Sequence, residues 1–133
     1  MILTRRLFNG TMAAAVLGAV ALSSPSSANE VPYSAEAFKA AQAAGSPILV
    51  EIHAGWCPIC KAQKPILDKL TADPKFKDLK IFLVDFDSMK TEVKQFGAQM
   101  QSTLIVFKGA VEQGRSVGDT KEASIAALLD KSL

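Results

Sequence analysis

Apolar residues along this chain fall into short segments whose spacing predicts alternating helices and strands. Continuous apolar runs predict two buried strands, and two further strands flank a tight turn at Lys108-Gly109-Ala110. The predicted strands are Ile48 to Ile52, Lys80 to Phe86, Thr103 to Phe107 and Glu112 to Val117. Strands joined through helices pair in parallel, whereas a closing hairpin adds antiparallel strands. The pattern therefore predicts an α/β fold with a four-stranded mixed sheet flanked by helices on both faces.

Helical spacing of apolar positions predicts four helices around these strands. The first is rich in alanine, has Ser34 near its N-cap and stops at Gly45-Ser46-Pro47. The second ends at Asp73-Pro74, since proline cannot continue a helix. The predicted helices are Tyr33 to Ala44, the segment from Cys60, Thr91 to Phe96 and Thr120 to Lys131.

The first 28 residues have the composition of an export signal. Arg5 and Arg6 form a basic n-region, and Met12 to Leu22 forms an apolar stretch. Small residues up to Ala28 then form a cleavage site. The apolar stretch is shorter than the roughly 20 residues that a membrane-spanning helix needs. Residues 1–28 are therefore predicted to be a signal peptide cleaved after about Ala28. Residues 29–133 are predicted to form one periplasmic domain that does not span the membrane.

The two arginines also resemble the twin-arginine export signal, whose usual form is Ser/Thr-Arg-Arg-x-Phe-Leu-Lys. The segment Thr4 to Phe8 fits that form, whereas Asn9 and Gly10 depart from it. Both the twin-arginine route and the ordinary secretory route deliver a chain to a bacterial periplasm. The predicted location is therefore the same for either route.

Charge argues against nucleic acid as a partner. The chain has 15 basic and 13 acidic residues, and the signal segment holds two of the basic ones, Arg5 and Arg6. The domain that remains after cleavage therefore has a formal net charge of zero. Binding to a phosphate backbone needs clustered basic residues. We therefore predict no nucleic-acid partner.

The only two cysteines, Cys57 and Cys60, stand three positions apart after the first predicted strand. At the start of a helix, two such side chains lie on one face about 5–6 Å apart, so a small adjustment closes a disulfide. A loop this short stabilises a fold by only about 2 kcal/mol, which makes a structural bridge a weak explanation. A thiolate at a helix N-terminus is stabilised by free backbone N–H groups, which favours redox chemistry. Metal binding by the same thiols remains open.

The motif Trp56-Cys57-Pro58-Ile59-Cys60-Lys61, with the strand Ile48 to Ile52 before it and Pro65 after it, resembles the thioredoxin family. The resemblance extends from about Ser46 to the C-terminus, because Thr103 to Lys108 and a later glycine match the closing hairpin of that family. It implies a thioredoxin-like fold for residues 29–133 and a thiol–disulfide oxidoreductase.

The same resemblance implies roles for three residues of this sequence. Cys57 would be the attacking thiolate, and Cys60 the resolving thiol that releases a mixed disulfide. Glu51 falls on the buried acid of the family, which moves protons to and from the resolving thiol. The same resemblance implies that the redox-active Cys57–Cys60 disulfide carries out the exchange and that no separate cofactor is needed.

Four further residues would bind the partner protein. The resemblance places Trp56, Pro58, Gln101 and Ser102 on that surface, and a simple packing role is the alternative for Trp56. The predicted partners are thiols and disulfides of periplasmic proteins, together with a membrane electron donor or acceptor.

The chain departs from the family pattern at three places. Ser102 stands where the family has a cis-proline, and a cis bond before a non-proline residue costs roughly 2.5–4 kcal/mol. A trans bond, or a cis bond held under strain, is expected there. Pro58-Ile59 brings no positive charge between the cysteines, which predicts a less oxidising couple than that of periplasmic oxidants. Leu83 replaces a lysine that often pairs with the buried acid, which leaves Glu51 without an obvious counter-charge.

The alternative function is binding or delivery of copper by the same cysteines. His53, the only histidine, stands four residues before Cys57, and Met100 precedes the predicted hairpin. Thiolate and thioether donors favour Cu(I), and imidazole is compatible with copper or zinc. The metal set would then be Cys57, Cys60, His53 and Met100. If no metal binds, His53 is expected to be a half-buried residue at a strand end.

Overall fold

A computed structural model, which describes residues 30–133, places a five-stranded mixed sheet between two pairs of helices. The strands are β1 (Glu30–Pro32), β2 (Pro47–His53), β3 (Lys80–Asp85), β4 (Thr103–Lys108) and β5 (Val111–Val117). The helices are α1 (Ala35–Ala43), α2 (Pro58–Thr71), α3 (Lys90–Gln95) and α4 (Glu122–Asp130), with a 3-10 turn at Pro74–Phe76. The strand order in the sheet is β1-β3-β2-β4-β5.

The prediction of four strands is wrong by one, because β1 adds an edge strand. β1 pairs in parallel with β3, with Glu30 opposite Ile81 and Pro32 opposite Leu83. The sequence of β1, Glu-Val-Pro, has neither an apolar run nor a clear alternation of apolar and polar residues. No periodic pattern therefore marks this strand. Proline is tolerated there because an edge strand has one side without a pairing partner. The α/β class and the helices on both faces are confirmed.

The central strand β2 organises the sheet. It pairs in parallel with β3 and antiparallel with β4, and β5 pairs antiparallel with β4. The predicted parallel pairing through helices and the predicted hairpin are both confirmed. Each predicted strand and helix is present, with ends displaced by one or two residues in most cases.

Alternation along β2 divides the core into two layers. Ile48, Val50 and Ile52 pack with residues of α1 and α3 on one face. Leu49 packs with residues of α2 and α4 on the other. Since side chains alternate along a strand, Glu51 points to the same side as Leu49, toward α2. The strand that carries the predicted acid and the helix that begins at the cysteines are therefore neighbours.

The predicted signal peptide, residues 1–28, lies outside the described residues. Among residues 30–133, no helix combines the length and the apolar character that crossing a membrane requires. The predicted N-cap of α1 is confirmed, because the Ser34 Oγ accepts a hydrogen bond from the N–H of Ala37 at 3.1 Å.

Candidate active site

The two cysteines lie at the N-terminus of α2, as the sequence predicts. Cys57 is the N-cap residue, and its Sγ accepts a hydrogen bond from the N–H of Cys60 at 3.1 Å. Pro58 occupies the first turn, where its missing N–H removes no helical hydrogen bond. Both cysteines are free thiols. A negative charge on the Cys57 sulfur would therefore be held by a backbone N–H and by the positive end of the helix dipole.

The two sulfurs differ in access to solvent. Cys57 is 1 % exposed, whereas Cys60 is of intermediate burial. A nucleophilic sulfur must come within bonding distance of the sulfur that it attacks. Attack by Cys57 on a partner therefore requires the surface around it to move.

The Cys60 thiol is held in its protonated form by its surroundings. Burial raises the pKa of Cys60, and the hydrogen bond to Cys57 and the charge of Cys57 raise it further. Backbone N–H groups of Ala54 and Ser102 act on this pKa in the opposite direction. Since the thiolate is the nucleophile, Cys60 needs a base before it can attack a disulfide.

Glu51 is a candidate for that base. It is 8 % exposed on β2, between Leu83 of β3 and Leu104 of β4. Burial raises the pKa of Glu51 to about 7, and the charge of Glu30 contributes in the same direction. A cleft of about 250 Å³ is lined by both Glu51 and Cys60. The role of Glu51 in proton transfer remains a prediction, and its place in the same cleft as Cys60 supports that role.

Position 83 brings no counter-charge to Glu51, and Lys64 of α2 places a positive charge in the same cleft. Lys64 lines the same cleft, and its charge lowers the pKa of Glu51 against the effects of Glu30 and Asp68. The Lys64 Nζ lies 3.0 Å from Glu30 Oε2 and 2.6 Å from Asp68 Oδ1. Lys64 therefore acts on Glu51 through its charge, while its ammonium group pairs with Glu30 and Asp68. Sequence reasoning missed it, because the position of Lys64 depends on how α2 packs over the sheet.

Replacing Lys64 by methionine is expected to raise the pKa of Glu51 further. The variant removes the positive charge that lowers the pKa of Glu51, while the negative charges of Glu30 and Asp68, which raise it, remain. Titration of the Glu51 carboxyl carbon by NMR measures the effect. Lys69→Met is the matched control, since Lys69 lies on the same helix but pairs with Glu122 at 2.8 Å. An equal midpoint in both variants would show that Lys64 does not act on Glu51.

Ser102 occupies an unusual backbone conformation beside the cysteines. Residues 30–133 contain no cis peptide bond, so the bond before Ser102 is trans, and its φ is +61°. Among the described residues it is the single non-glycine with positive φ. Its carbonyl accepts hydrogen bonds from the Gly118 N–H at 3.0 Å and from the Gln63 Nε2 at 3.2 Å. The expected trans bond is therefore present in a conformation that several contacts hold.

The predicted partner-binding residues differ in their exposure to solvent. Trp56 is 57 % exposed, and its Nε1 donates a hydrogen bond to Asp87 Oδ2 at 2.6 Å. Trp56 is therefore no core residue, which leaves its indole face available to a partner. Pro58 is exposed, Gln101 is half-buried, and Ser102 is buried. Sequence reasoning missed Asp87, because it lies 31 positions from Trp56.

The metal set of the copper alternative is not assembled. His53 is a half-buried residue at the end of β2, opposite Asp85 of β3, and it lines the cleft with Cys60. Met100 is exposed, whereas Cys57 is buried. Between residues 30 and 133, no group of three or more histidine, cysteine, aspartate or glutamate side chains could hold a metal ion. Nothing in this geometry favours the metal alternative.

Gln63 is a further buried polar residue that sequence reasoning missed. It lies three positions after Cys60 on α2 and is 3 % exposed. A sequence signal was present, since a glutamine between Cys60 and Leu67 interrupts the inner face of an amphipathic helix. Its partners could not be predicted, because they lie 39 and 56 positions away along the chain.

Comparison with known proteins gives a consistent result. The family model described as thioredoxin matches residues 30–131. An H-type thioredoxin of Brassica campestris is 35 % identical over 95 residues, covering 71 % of this chain and 76 % of that protein. A thioredoxin of Chlamydia muridarum is 36 % identical over 84 residues, covering 63 % of this chain and 80 % of that protein.

A solved structure agrees with these sequence matches. The crystal structure of Trxlp from Edwardsiella tarda superposes with a TM-score of 0.72 at 44 % identity. The match covers 75 % of this chain and 96 % of the Edwardsiella chain. With two free cysteines at the start of α2 and the family model matched over nearly the whole described domain, this chain belongs to the thioredoxin family of thiol–disulfide oxidoreductases.

Proposed function

We propose that this chain is an exported enzyme that reduces or isomerises disulfides of periplasmic proteins. One observation carries the chemistry: Cys60 and the buried Glu51 line the same cleft, and Cys57 lies at the N-terminus of α2. This arrangement supplies a nucleophile, a resolving thiol and a proton acceptor. The composition of residues 1–28 supports the exported location.

The exchange proceeds in two balanced steps. In the first, the Cys57 thiolate attacks one sulfur of a partner disulfide, a mixed disulfide forms, and the other partner sulfur leaves as a thiolate. In the second, Cys60 transfers its proton to the Glu51 carboxylate and attacks the Cys57 sulfur. The remaining partner sulfur leaves and is protonated. The partner gains two electrons, and the Cys57–Cys60 pair becomes a disulfide.

A return to the dithiol form requires a donor of two electrons. In an oxidising compartment, we propose a membrane protein that offers a dithiol of lower potential. The uncharged Pro58-Ile59 pair between the cysteines supports a couple nearer to that of a reductant than to that of a strong oxidant. The exposed Trp56 and Pro58 would lie against the partner during exchange.

We expect the Cys57–Cys60 couple to have a potential near the thioredoxin value of about −270 mV rather than near −120 mV. The full chain would be expressed in a bacterium, recovered from the periplasm and equilibrated in glutathione buffers of graded ratio. Alkylation and mass spectrometry measure the fraction of dithiol, and the same spectra show whether the chain begins at Asn29. Recovery only from the cytoplasm would contradict export, and a potential near −120 mV would contradict the reducing role.

A further inference from the structure

A groove beside α3, here called the α3 groove, adjoins the predicted partner-binding residues. It has a volume of about 300 Å³, and it is lined by Phe86 before the helix and by Gln99 after it. Phe86 precedes Asp87, the residue that accepts the hydrogen bond of the Trp56 indole. Gln99 precedes Met100, which is 52 % exposed. A partner chain that lies against the indole is therefore next to the α3 groove.

The α3 groove has an apolar floor that is already formed. Val93 is buried, and Phe86 and Ala98 are half-buried. The Phe86 N–H donates to the carbonyl of His53 at 2.8 Å, and the Ala98 N–H donates to the carbonyl of Val93 at 3.0 Å. Gly97 ends the helix with a φ of +64°. These contacts fix the floor, which lowers the cost of ordering it when a partner binds.

Two lysines of α3 line the same groove. Lys90 and Lys94 are both exposed and stand four positions apart, so they lie on one face of the helix. No ion pair between residues 30 and 133 includes either ammonium group. Glu92, the acid of α3, stands two positions from each lysine and therefore faces away from them. The positive charge beside the apolar floor is not compensated from the helix itself.

Helix stability explains one of these lysines and not the other. Lys94 is in the last turn of α3, where a cation interacts favourably with the helix dipole. Lys90 is the first residue of the helix, where the same dipole disfavours a cation. Residues 29–133 have a formal net charge of zero, so an attraction for acidic groups is local to this groove. The chemistry that fits the α3 groove is an apolar side chain with carboxylates beside it.

We propose that the α3 groove binds a segment of the partner protein in which acidic residues flank an apolar one, close to the disulfide that is exchanged. The apolar side chain packs on the floor, and the carboxylates pair with Lys90 and Lys94. This inference rests on the proposed function, because the segment belongs to a protein whose disulfide the two cysteines exchange. The groove thereby favours acidic partners over basic partners with disulfides of equal reactivity.

Three synthetic peptides with the same internal disulfide test this preference. Their flanking segments are Asp-Phe-Glu, Asp-Ser-Glu and Lys-Phe-Lys. The full chain in its dithiol form is mixed with each peptide, and alkylation with mass spectrometry gives the rate of exchange. We expect the Asp-Phe-Glu peptide to react about fivefold faster than Asp-Ser-Glu, because part of a phenyl ring is buried. It should react about tenfold faster than Lys-Phe-Lys, because two exposed ion pairs replace two repulsions.

A double variant, Lys90→Met with Lys94→Met, tests the two lysines. We expect the ratio of the Asp-Phe-Glu rate to the Lys-Phe-Lys rate to fall about fivefold, since both ion pairs are lost. Lys39→Met with Lys108→Met is the matched control, because it removes the same charge at exposed lysines of α1 and of the far end of β4. An equal ratio in the two double variants would overturn the role of Lys90 and Lys94.

A binding measurement separates this inference from the proposed function. The Asp-Phe-Glu peptide with serines in place of its cysteines is added to isotope-labelled full chain, and we expect the amide NMR signals of Gly97 and Ala98 to shift. This binding does not depend on turnover. Shifts at these amides without reduction of any peptide disulfide would overturn the proposed function alone. Equal rates for the three peptides, or no shift at these amides, would overturn the α3 groove as the docking site.

Discussion

Replacing Cys57 by serine is expected to reduce disulfide exchange to the rate of the uncatalysed reaction. A serine hydroxyl is not ionised near neutral pH, so the variant keeps the shape of the N-cap but lacks the nucleophile. Replacing Cys60 by serine should instead leave the first step intact and trap the mixed disulfide, because no resolving thiol remains. Reduction of insulin disulfides measures the loss, and mass spectrometry detects the trapped adduct.

The two variants control for each other. Cys57 and Cys60 both lie in the first turn of α2 or at its cap, and both substitutions are small, so a general loss of folding would affect them alike. We expect adducts with Cys60→Ser and none with Cys57→Ser. The opposite pattern, with adducts on Cys60, would mean that the more exposed thiol attacks first and that the assigned roles are reversed. Full activity of Cys57→Ser would contradict the mechanism.

Replacing Glu51 by glutamine is expected to increase stability at alkaline pH. The pKa of this carboxyl rises from 4.5 to about 7 in the folded protein, mainly because of burial. Between these values the folded state binds a proton that the unfolded state has released, so stability falls as the pH rises. The wild type therefore loses about 3 kcal/mol relative to a neutral variant as the pH passes from below 4.5 to above 7.

Urea unfolding at several pH values measures this difference. The free energy of unfolding of Glu51→Gln minus that of the wild type should increase through this interval and then level off. Glu36→Gln, at an exposed acid of α1, is the matched control, and we expect its difference to remain flat. A flat difference for Glu51→Gln as well would show that the Glu51 carboxyl titrates normally in the folded state.

The Glu51 effect also explains why a destabilising acid suits this position. A carboxyl with a pKa of about 7 is partly ionised near neutral pH, so it can both accept and return a proton there. Lys64 prevents the pKa from rising further, which keeps the carboxylate form available. The burial that makes the ionised Glu51 destabilising therefore also gives it a pKa suited to a base for Cys60.

Sequence by itself determined the parts of this protein that depend on neighbours along the chain. The apolar run of β2 marked a buried strand, and the Trp56 to Lys61 motif marked the helix that follows it. Since side chains alternate along a strand and recur every 3.6 residues along a helix, those patterns also placed Glu51 and the two cysteines on adjoining elements. The expected trans bond at Ser102 followed from the cost of the cis form.

Tertiary structure alone decided which distant residues complete the site. The Lys64 contact with Glu30, the Gln63 contacts with Ser102 and Asp119, and the Trp56 contact with Asp87 join positions 31 to 56 residues apart. Such pairs leave no periodic pattern, because they form only after the helices have packed on the sheet. The edge strand β1 was missed for the same reason, since three residues become a strand only when β3 supplies the pairing partner.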